Sequence, residues 1–481
     1  MLYLSQPMAV TRHGLLRTSG AALAFTLGGM LPLLSGFVLL PYYTQMPAAD
    51  FGLFALYTGV YVLGQTVINF GVDTLVGVSY VEHHDQPAKL RAVMSALFGF
   101  IMQTGATAVV LSLVATRWFA DSPLLPWNEL AVASVLSSLC YALFKTYSNV
   151  LINQQRPVPY LALAVLNFAL VMAATLVAFN LDGYQLRAPI WGRTLGLALS
   201  AAVVAVLWLR SFGIRWDRSQ SAGWLRVLYP MVAYNLLGWG LRFADRFVLQ
   251  GSLGPETVGL FDFAVKLAMV LDLIQVGLFN AVLPRIYRVF KERGFLDGRE
   301  VLNRNLHSFT AVVVLAIPVI YAGLVGVLPL AMPRPEFEAS YRWVGPLLWS
   351  LSLRGMFNVY LAPLFYFKET KLFPRFYALS MAVYLPVLAV LVARNGAEGA
   401  VWATGVVALL QVASVHFVSR SRYPMNYNVL KMLGLPVWGA LNYVLITAAV
   451  DGIWLQSASM LAANAAAVAI LFGREFRHLL R

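Results

Sequence analysis

Ala21–Tyr42, AALAFTLGGMLPLLSGFVLLPY, runs 22 residues without a charged side chain. About 20 apolar residues make a helix long enough to cross roughly 30 Å of hydrocarbon. Only a short basic segment precedes the run, and the run exceeds the apolar core of a cleavable signal, so it reads as a membrane span. Runs of this kind recur along the chain. About fourteen spans are expected, near 18–42, 52–78, 90–116, 129–152, 158–180, 188–209, 226–250, 257–283, 305–331, 341–367, 372–393, 397–419, 429–449 and 453–472. Hydrophobic residues make up 60% of the chain and charged residues 12%. That is too little charge to cover a soluble domain of this length. In hydrocarbon every backbone polar group must find an internal partner, which leaves helix bundles and closed barrels. The short alternating segments of a barrel are absent, so the expected fold is all-α, a polytopic membrane helix bundle.

The net charge of +14 does not point to nucleic acid, because Lys and Arg are spread over many short loops rather than gathered in one patch. Loops on one side carry Arg12 and Arg17, Lys89 and Arg91, Arg156, Arg210 to Arg226, Arg285 to Arg304, Lys368 to Arg375, Arg420 to Lys431, and Arg474 to Arg481. The other side carries Arg117, Arg187, Arg334, Arg342 and Arg394. The bias is roughly five-fold, which places both termini in the cytoplasm.

An internal repeat is visible. Phe51-Gly52-Leu53-Phe54 opens the second span shortly after Pro47, and Val258-Gly259-Leu260-Phe261 opens the eighth shortly after Pro255. Pro159 and Leu176-Val177-Ala178 match Pro374 and Leu391-Val392-Ala393 at constant spacing. The expected organisation is a six-helix lobe over 1–210, a cytoplasmic linker over 211–225, a second six-helix lobe over 226–420, and two further helices within 421–481. An even number of spans per half makes this a parallel repeat, with its axis along the membrane normal.

Charges inside spans are costly and by default face a bundle interior or a wet cavity. The cations inside spans are Lys145, Arg193, Arg242, Arg246, Lys266 and Arg354; the acids are Asp73, Asp245, Asp262 and Asp272. In the seventh span Asn235, Gly238, Arg242, Asp245 and Arg246 share one helical face. Asp245 can pair with Arg242 one turn away, leaving one positive charge over. Two readings stand: a self-compensated pair that locks this helix to a neighbour, or a functional set, which the excess charge favours. Asp262 and Lys266 form an i,i+4 pair. Asp272 and Gln275 lie on another face and are read as bonding a neighbouring helix. Arg354, with Ser350 and Asn358 one turn to either side, has no acid on its own helix and cannot snorkel. Its expected partner is another helix or a ligand anion. Lys145 and Arg193 lie within reach of an interface, and snorkelling is the expectation for Arg193. Asp73 is read as structural.

No enzyme constellation appears. His83-His84 sit in a charged loop and read as a solvated turn rather than a metal site. There is no nucleotide-binding P-loop. Cys140, the single cysteine, lies in an apolar run and reads as a packing residue. No catalytic residue, metal or cofactor is expected, and no nucleic acid partner.

Leu39 through Phe54 resembles the first hairpin of bacterial polysaccharide flippases. Leu236-Leu237-Gly238-Trp239, Asp245-Arg246-Phe247-Val248-Leu249, Leu253-Gly254 and Val258-Gly259-Leu260-Phe261 resemble their seventh span and the loop after it. The resemblance covers spans one to twelve and rests on diffuse patterns. It implies membership of the multidrug/oligosaccharidyl-lipid/polysaccharide exporter superfamily, with two six-helix lobes around a cationic cavity. The implied function is translocation of polyprenyl-diphosphate-linked oligosaccharide repeat units from the cytoplasmic to the outer leaflet of the bacterial inner membrane, driven by an ion gradient or membrane potential. The first span has no Arg or Asp, unlike that of the peptidoglycan lipid II branch, which favours O-antigen, capsule or exopolysaccharide units. Diphosphate needs cations, and Arg grips phosphate through two donors. The expected substrate contacts are Arg354, Arg242, Arg246, Lys266, Lys145 and Asn358, with Asp245 and Asp262 as coupling candidates. Expected partners are the lipid-linked substrate, membrane lipids, and polysaccharide polymerase and export machinery. Two alternatives stand beside this reading: a cation-coupled multidrug exporter of the same superfamily, and a membrane polysaccharide polymerase or ligase.

Overall fold

The computed structural model describes residues 12–83, 85–214, 218–367, 369–423 and 427–479. His84, Arg215, Lys368 and Arg481, named above, lie outside the described residues. The helices are α1 (Arg12–Val38), α2 (Leu40–Tyr43), α3 (Ala48–Asn69), α4 (Val72–Glu82), α5 (Pro87–Phe119), α6 (Glu129–Asn153), α7 (Pro157–Asp182), α8 (Arg187–Phe212), α9 (Arg218–Leu253), α10 (Pro255–Tyr321), α11 (Leu328–Ala331), α12 (Tyr341–Tyr360), α13 (Ala362–Tyr366), α14 (Phe373–Asn395), α15 (Ala397–Arg422), α16 (Leu435–Ala449) and α17 (Ile453–Leu479). No strand occurs among the described residues. The chain is an all-α, polytopic membrane bundle.

Ten described helices are long and apolar enough to cross a membrane. Their outward faces carry apolar side chains, such as Leu111, Leu181, Leu445 and Ile470, each more than half exposed. Exposed apolar surface on this scale suits lipid, not water. Among the longer helices, α1, α9, α12 and the first arm of α10 fall outside the ten. The last three carry Arg242, Arg246, Lys266 and Arg354.

Each expected span contains helix, but several are interrupted. The second breaks where Phe70 and Gly71 take φ of 45° and 79°. A bulky residue in this left-handed region costs on the order of 1–3 kcal/mol. The ninth and thirteenth carry wide π turns, Ala322–Val327 and Leu430–Gly434. The segment 285–304, expected as a loop, is helical: α10 continues through it and turns at Gly294, where φ is 79°.

The chain divides into two compact units. The first holds residues 1–46 and 56–236. In it α8 presses on α7 through Gly192 and Gly196, and Ser137 of α6 bonds Thr194 of α8 at 2.8 Å. Small residues and hydroxyls bring helices together where apolar burial gives no net drive. The second unit holds residues 47–55 and 237–481. There Asn442 of α16 donates to Asn464 of α17 at 3.2 Å, and Asn464 donates to the Val314 carbonyl of α10 at 3.3 Å.

Within the second unit, the first turn of α3 crosses the first turns of α10 at the two repeat-related glycines. A Cβ on Gly52 would lie 1.9 Å from the Pro255 carbonyl oxygen, and one on Gly259 2.0 Å from that of Ala48. Phe51, Phe263 and Phe337 close around this crossing, with ring centroids 4.8–6.4 Å apart. The backbones touch, so neither helix has a flexible atom to yield. Gly52→Ala and Gly259→Ala should each destabilise the protein by about 1–3 kcal/mol. Gly277→Ala, where a Cβ meets nothing within 4 Å, should stay within about 0.5 kcal/mol. Thermal unfolding of the three variants in detergent checks this; equal behaviour of all three would contradict the packing described.

Candidate functional site

The charged side chains of α9 and α10 form two groups with different surroundings. In the first, Arg246 lies between two carboxylates. Its Nη1 donates to Asp245 Oδ1 at 2.7 Å and to the Arg242 carbonyl at 2.8 Å. Its Nε and Nη2 donate to Asp262 Oδ1 at 3.0 and 2.9 Å. Asp262 Oδ2 takes the Lys266 ammonium. Asp245 accepts the backbone N–H of Arg246 at 2.8 Å and the Tyr384 hydroxyl of α14 at 3.4 Å. Lys266 sits 4.4 Å from the centroid of the Phe51 ring. The side chains of Arg246, Asp245 and Asp262 are 6% exposed. Two cations face two anions, so the group is neutral.

The second group is open. Arg242 is exposed, and no carboxylate among the described residues lies within ion-pair distance of it. It feels the charges of Arg354 and Asp272 most strongly. Arg354 on α12 has Nη1 3.6 Å from Asp272 Oδ2, beyond hydrogen-bond length. The Arg354 side chain is 35% exposed. Asn358, a turn further on, is exposed. Two guanidiniums thus share one carboxylate, leaving one positive charge in excess.

Gln275 lies beside this group. Its residue is 3% exposed, and neither amide atom has a hydrogen-bond partner among the described residues. It packs on Gly355, where a Cβ would come 2.0 Å from Gln275 Oε1.

Several expectations need correction. Asp245 pairs with Arg246, not with Arg242, because the Arg246 backbone N–H draws the carboxylate to its own residue. Arg246 and Lys266, expected as substrate contacts, both pair with Asp262, and Arg246 pairs with Asp245 as well. Arg354, expected to meet another helix or a ligand anion, has Asp272 of α10 beside it, the first of those two partners. The Gln275 amide, expected to bond a neighbouring helix, has no hydrogen-bond partner among the described residues. Arg193, expected to snorkel, is 9% exposed; it donates to Thr58 Oγ1 at 3.1 Å and lies 4.5 Å above the Tyr61 ring. Lys145 belongs to the first unit, where it meets Asp73 at 2.9 Å. Sequence reasoning missed Tyr384, Gly355 and the Asp272–Arg354 meeting. Helical spacing exposes partners on one helix only.

Residues 21–290 match the family model described as polysaccharide biosynthesis protein, more than half of the chain. The chain belongs to that family. Among curated proteins none matches this polysaccharide biosynthesis family member. Solved structures share its fold at low identity. One is described as the lipid II flippase MurJ in an inward closed conformation, with a TM-score of 0.63, 14% identity, and coverage of 95% of this chain and 100% of that chain. An inward-facing MATE-family multidrug resistance transporter of the MOP superfamily gives 0.61 and 14%, covering 83% of this chain and 98% of its own. The MATE multidrug transporter DinF-BH gives 0.59 and 14%, covering 89% and 100%. The family member therefore has the helix-bundle fold of MOP-superfamily exporters.

The two charged groups should respond differently to mutation. Asp262→Ala strips Arg246 and Lys266 of a shared buried anion and should cost about 3–5 kcal/mol, lowering membrane abundance. Arg242→Ala removes an exposed side chain with no ion pair and should leave abundance unchanged. Quantifying both variants in isolated membranes checks this; the reverse order would refute the division.

Proposed function

We propose that this protein is a flippase that moves polyprenyl-diphosphate-linked oligosaccharide repeat units from the cytoplasmic to the outer leaflet of the inner membrane for cell-surface polysaccharide assembly. The observation that carries the reading is the open pair of guanidiniums, Arg242 and Arg354, against the single carboxylate of Asp272. A diphosphate entering hydrocarbon needs compensating cations, and Arg presents a planar fork of donors to phosphate oxygens. Asn358 and the unpartnered amide of Gln275 add neutral hydrogen-bonding groups near the same place. The neutral Arg246–Asp262 group ties α9 to α10. The lipid tail stays in the bilayer while the head passes. Membership of the polysaccharide biosynthesis family and the likeness in fold to a structure described as a lipid II flippase support the reading. It takes in about fourteen spans, cytoplasmic termini, and lobes over 1–210 and 226–420 that move by alternating access.

The likeness to MATE multidrug transporters supports a second reading, a cation-coupled exporter of small amphipathic molecules. A site for cationic drugs should be acidic or apolar. The excess positive charge at Arg242 and Arg354 counts against it.

Arg354 separates contact with substrate from a merely structural role. Arg354→Ala should cut polysaccharide export by at least on the order of tenfold with membrane abundance unchanged. Arg354→Lys keeps the charge without the fork and should retain part of the export. Complementation of an export-deficient strain, with abundance measured beside it, checks both. Abundance falling in step with export would assign Arg354 to helix packing, and full export by the Ala variant would remove it from the mechanism.

A further inference from the structure

Three span ends of the second unit meet at one surface. The apolar stretch Gly294–Ala331 begins there, Phe373–Asn395 begins there, and Ala397–Arg422 ends there. Aromatic rings gather them. Phe290 and Phe295, on either side of the Gly294 turn, have centroids 6.0 Å apart. Phe367, shortly before α14, lies 6.0 Å from Phe290 and 5.7 Å from Phe295. Tyr423, just after α15, stacks on Phe367 at 4.4 Å. A Cβ on Gly298 would come 2.4 Å from the Phe290 ring, so the two arms of α10 close tightly on each other. Helices of this length and apolar content end where hydrocarbon gives way to head groups, and aromatic rings favour that layer.

The outer side of this surface is basic. Arg288 and Lys291 on the first arm of α10, Lys371 and Arg375 around the start of α14, and Arg420 near the end of α15 are exposed, and they make no ion pair among the described residues. Arg422 donates to Glu369 at 2.9 Å. The exposed acids of the α10 elbow are Glu292, Asp297 and Glu300, fewer than the cations around them. Leu296, two residues past the Gly294 turn, is 65% exposed. Cations around an exposed apolar tip fit a lipid interface, where phosphates lie above acyl chains.

We propose that this surface binds the phosphates of anionic phospholipids, with Leu296 seated at the level of the first acyl carbons. The inference does not depend on the flippase reading. Charge decides the occupant. A zwitterionic head group brings as much positive charge as negative and gains little from unpaired cations. A phosphatidylglycerol head group brings a net negative charge and a phosphate that a guanidinium grips through two donors. The excess of cations also marks the leaflet as the cytoplasmic one, where anionic lipid attracts Lys and Arg at the surface. The bend of α10 then rests on the membrane surface as an anchored elbow. The aromatic cluster holds it to α14 and α15 from within.

The test adds phosphatidylglycerol or phosphatidylcholine to the full-length protein in detergent and measures bound lipid by native mass spectrometry. The wild type should bind phosphatidylglycerol more tightly than phosphatidylcholine. Arg288→Gln with Lys291→Gln removes two exposed cations and should weaken phosphatidylglycerol binding by on the order of 25-fold, about fivefold per cation. Phosphatidylcholine binding should not change. Arg334→Gln with Arg394→Gln removes as many charges beyond the far ends of Gly294–Ala331 and Phe373–Asn395 and should leave phosphatidylglycerol bound. Equal loss in the two double variants would reduce the effect to net charge and overturn the site, as would unchanged binding in the first. A spin label on Leu296→Cys gives a second readout, since the native Cys140 is buried. In nanodiscs containing phosphatidylglycerol the label should meet oxygen more readily than a water-soluble nickel complex. The reverse would overturn the lipid seat and assign the surface to a soluble acidic partner. Either outcome leaves the flippase reading as it stands.

Discussion

A guanidinium in hydrocarbon must be matched, and Arg246 is the point where this protein meets that demand. Its donors reach Asp245 on its own helix and Asp262 on α10, and the remaining lone pairs of those acids are taken by Tyr384 and Lys266. Lys266 rests on the aromatic rings of Phe51 and Phe54 at the start of α3. One buried cation therefore ties together α9, α10, α14 and the first turn of α3. The glycine crossing at Gly52 and Gly259 makes the last of these contacts possible, because only bare backbone lets Phe51 come close enough. Removing Arg246, Asp245, Asp262 or Lys266 leaves an uncompensated charge.

Once those charges are matched, the others stand out. Arg242 lies one turn from Arg246 and has no acid within ion-pair distance among the described residues. Arg354 shares Asp272 loosely. A protein that needed only to hold its helices together would bury these charges or omit them. Their exposure and their excess over Asp272 motivate the proposed role in binding a diphosphate. Gln275, packed on Gly355 with its amide unengaged, belongs to the same neighbourhood.

The helices were legible in the sequence because bilayer thickness imposes a length and an apolar content that few other constraints produce. Pro157–Asp182, the fifth expected span, needs no partner to be recognised. The interruptions were not legible: nothing in Asn69-Phe70-Gly71 distinguishes a tolerated glycine from a break, and the bend at Gly294 hides in a basic segment that reads equally well as a loop. The cations were legible as anomalies, but their partners were not. Spacing of three or four residues found Asp262 for Lys266. It offered Arg242 to Asp245 when the neighbouring Arg246 was the true partner, and it could not see Asp272 across to Arg354. Arg193 was misplaced for the same reason, since Thr58 and Tyr61 reach it from another helix.

The central claim is that the open cationic group serves an anionic lipid head. The most direct measurement is translocation by the purified protein in proteoliposomes, with a prenyl-diphosphate-linked saccharide followed by its accessibility to a membrane-impermeant lectin. The account predicts that the protein accelerates appearance of the saccharide in the opposite leaflet and that Arg242→Ala with Arg354→Ala abolishes the acceleration while the protein remains folded. Failure to move the saccharide, together with transport of a cationic amphiphile by the same vesicles, would contradict it.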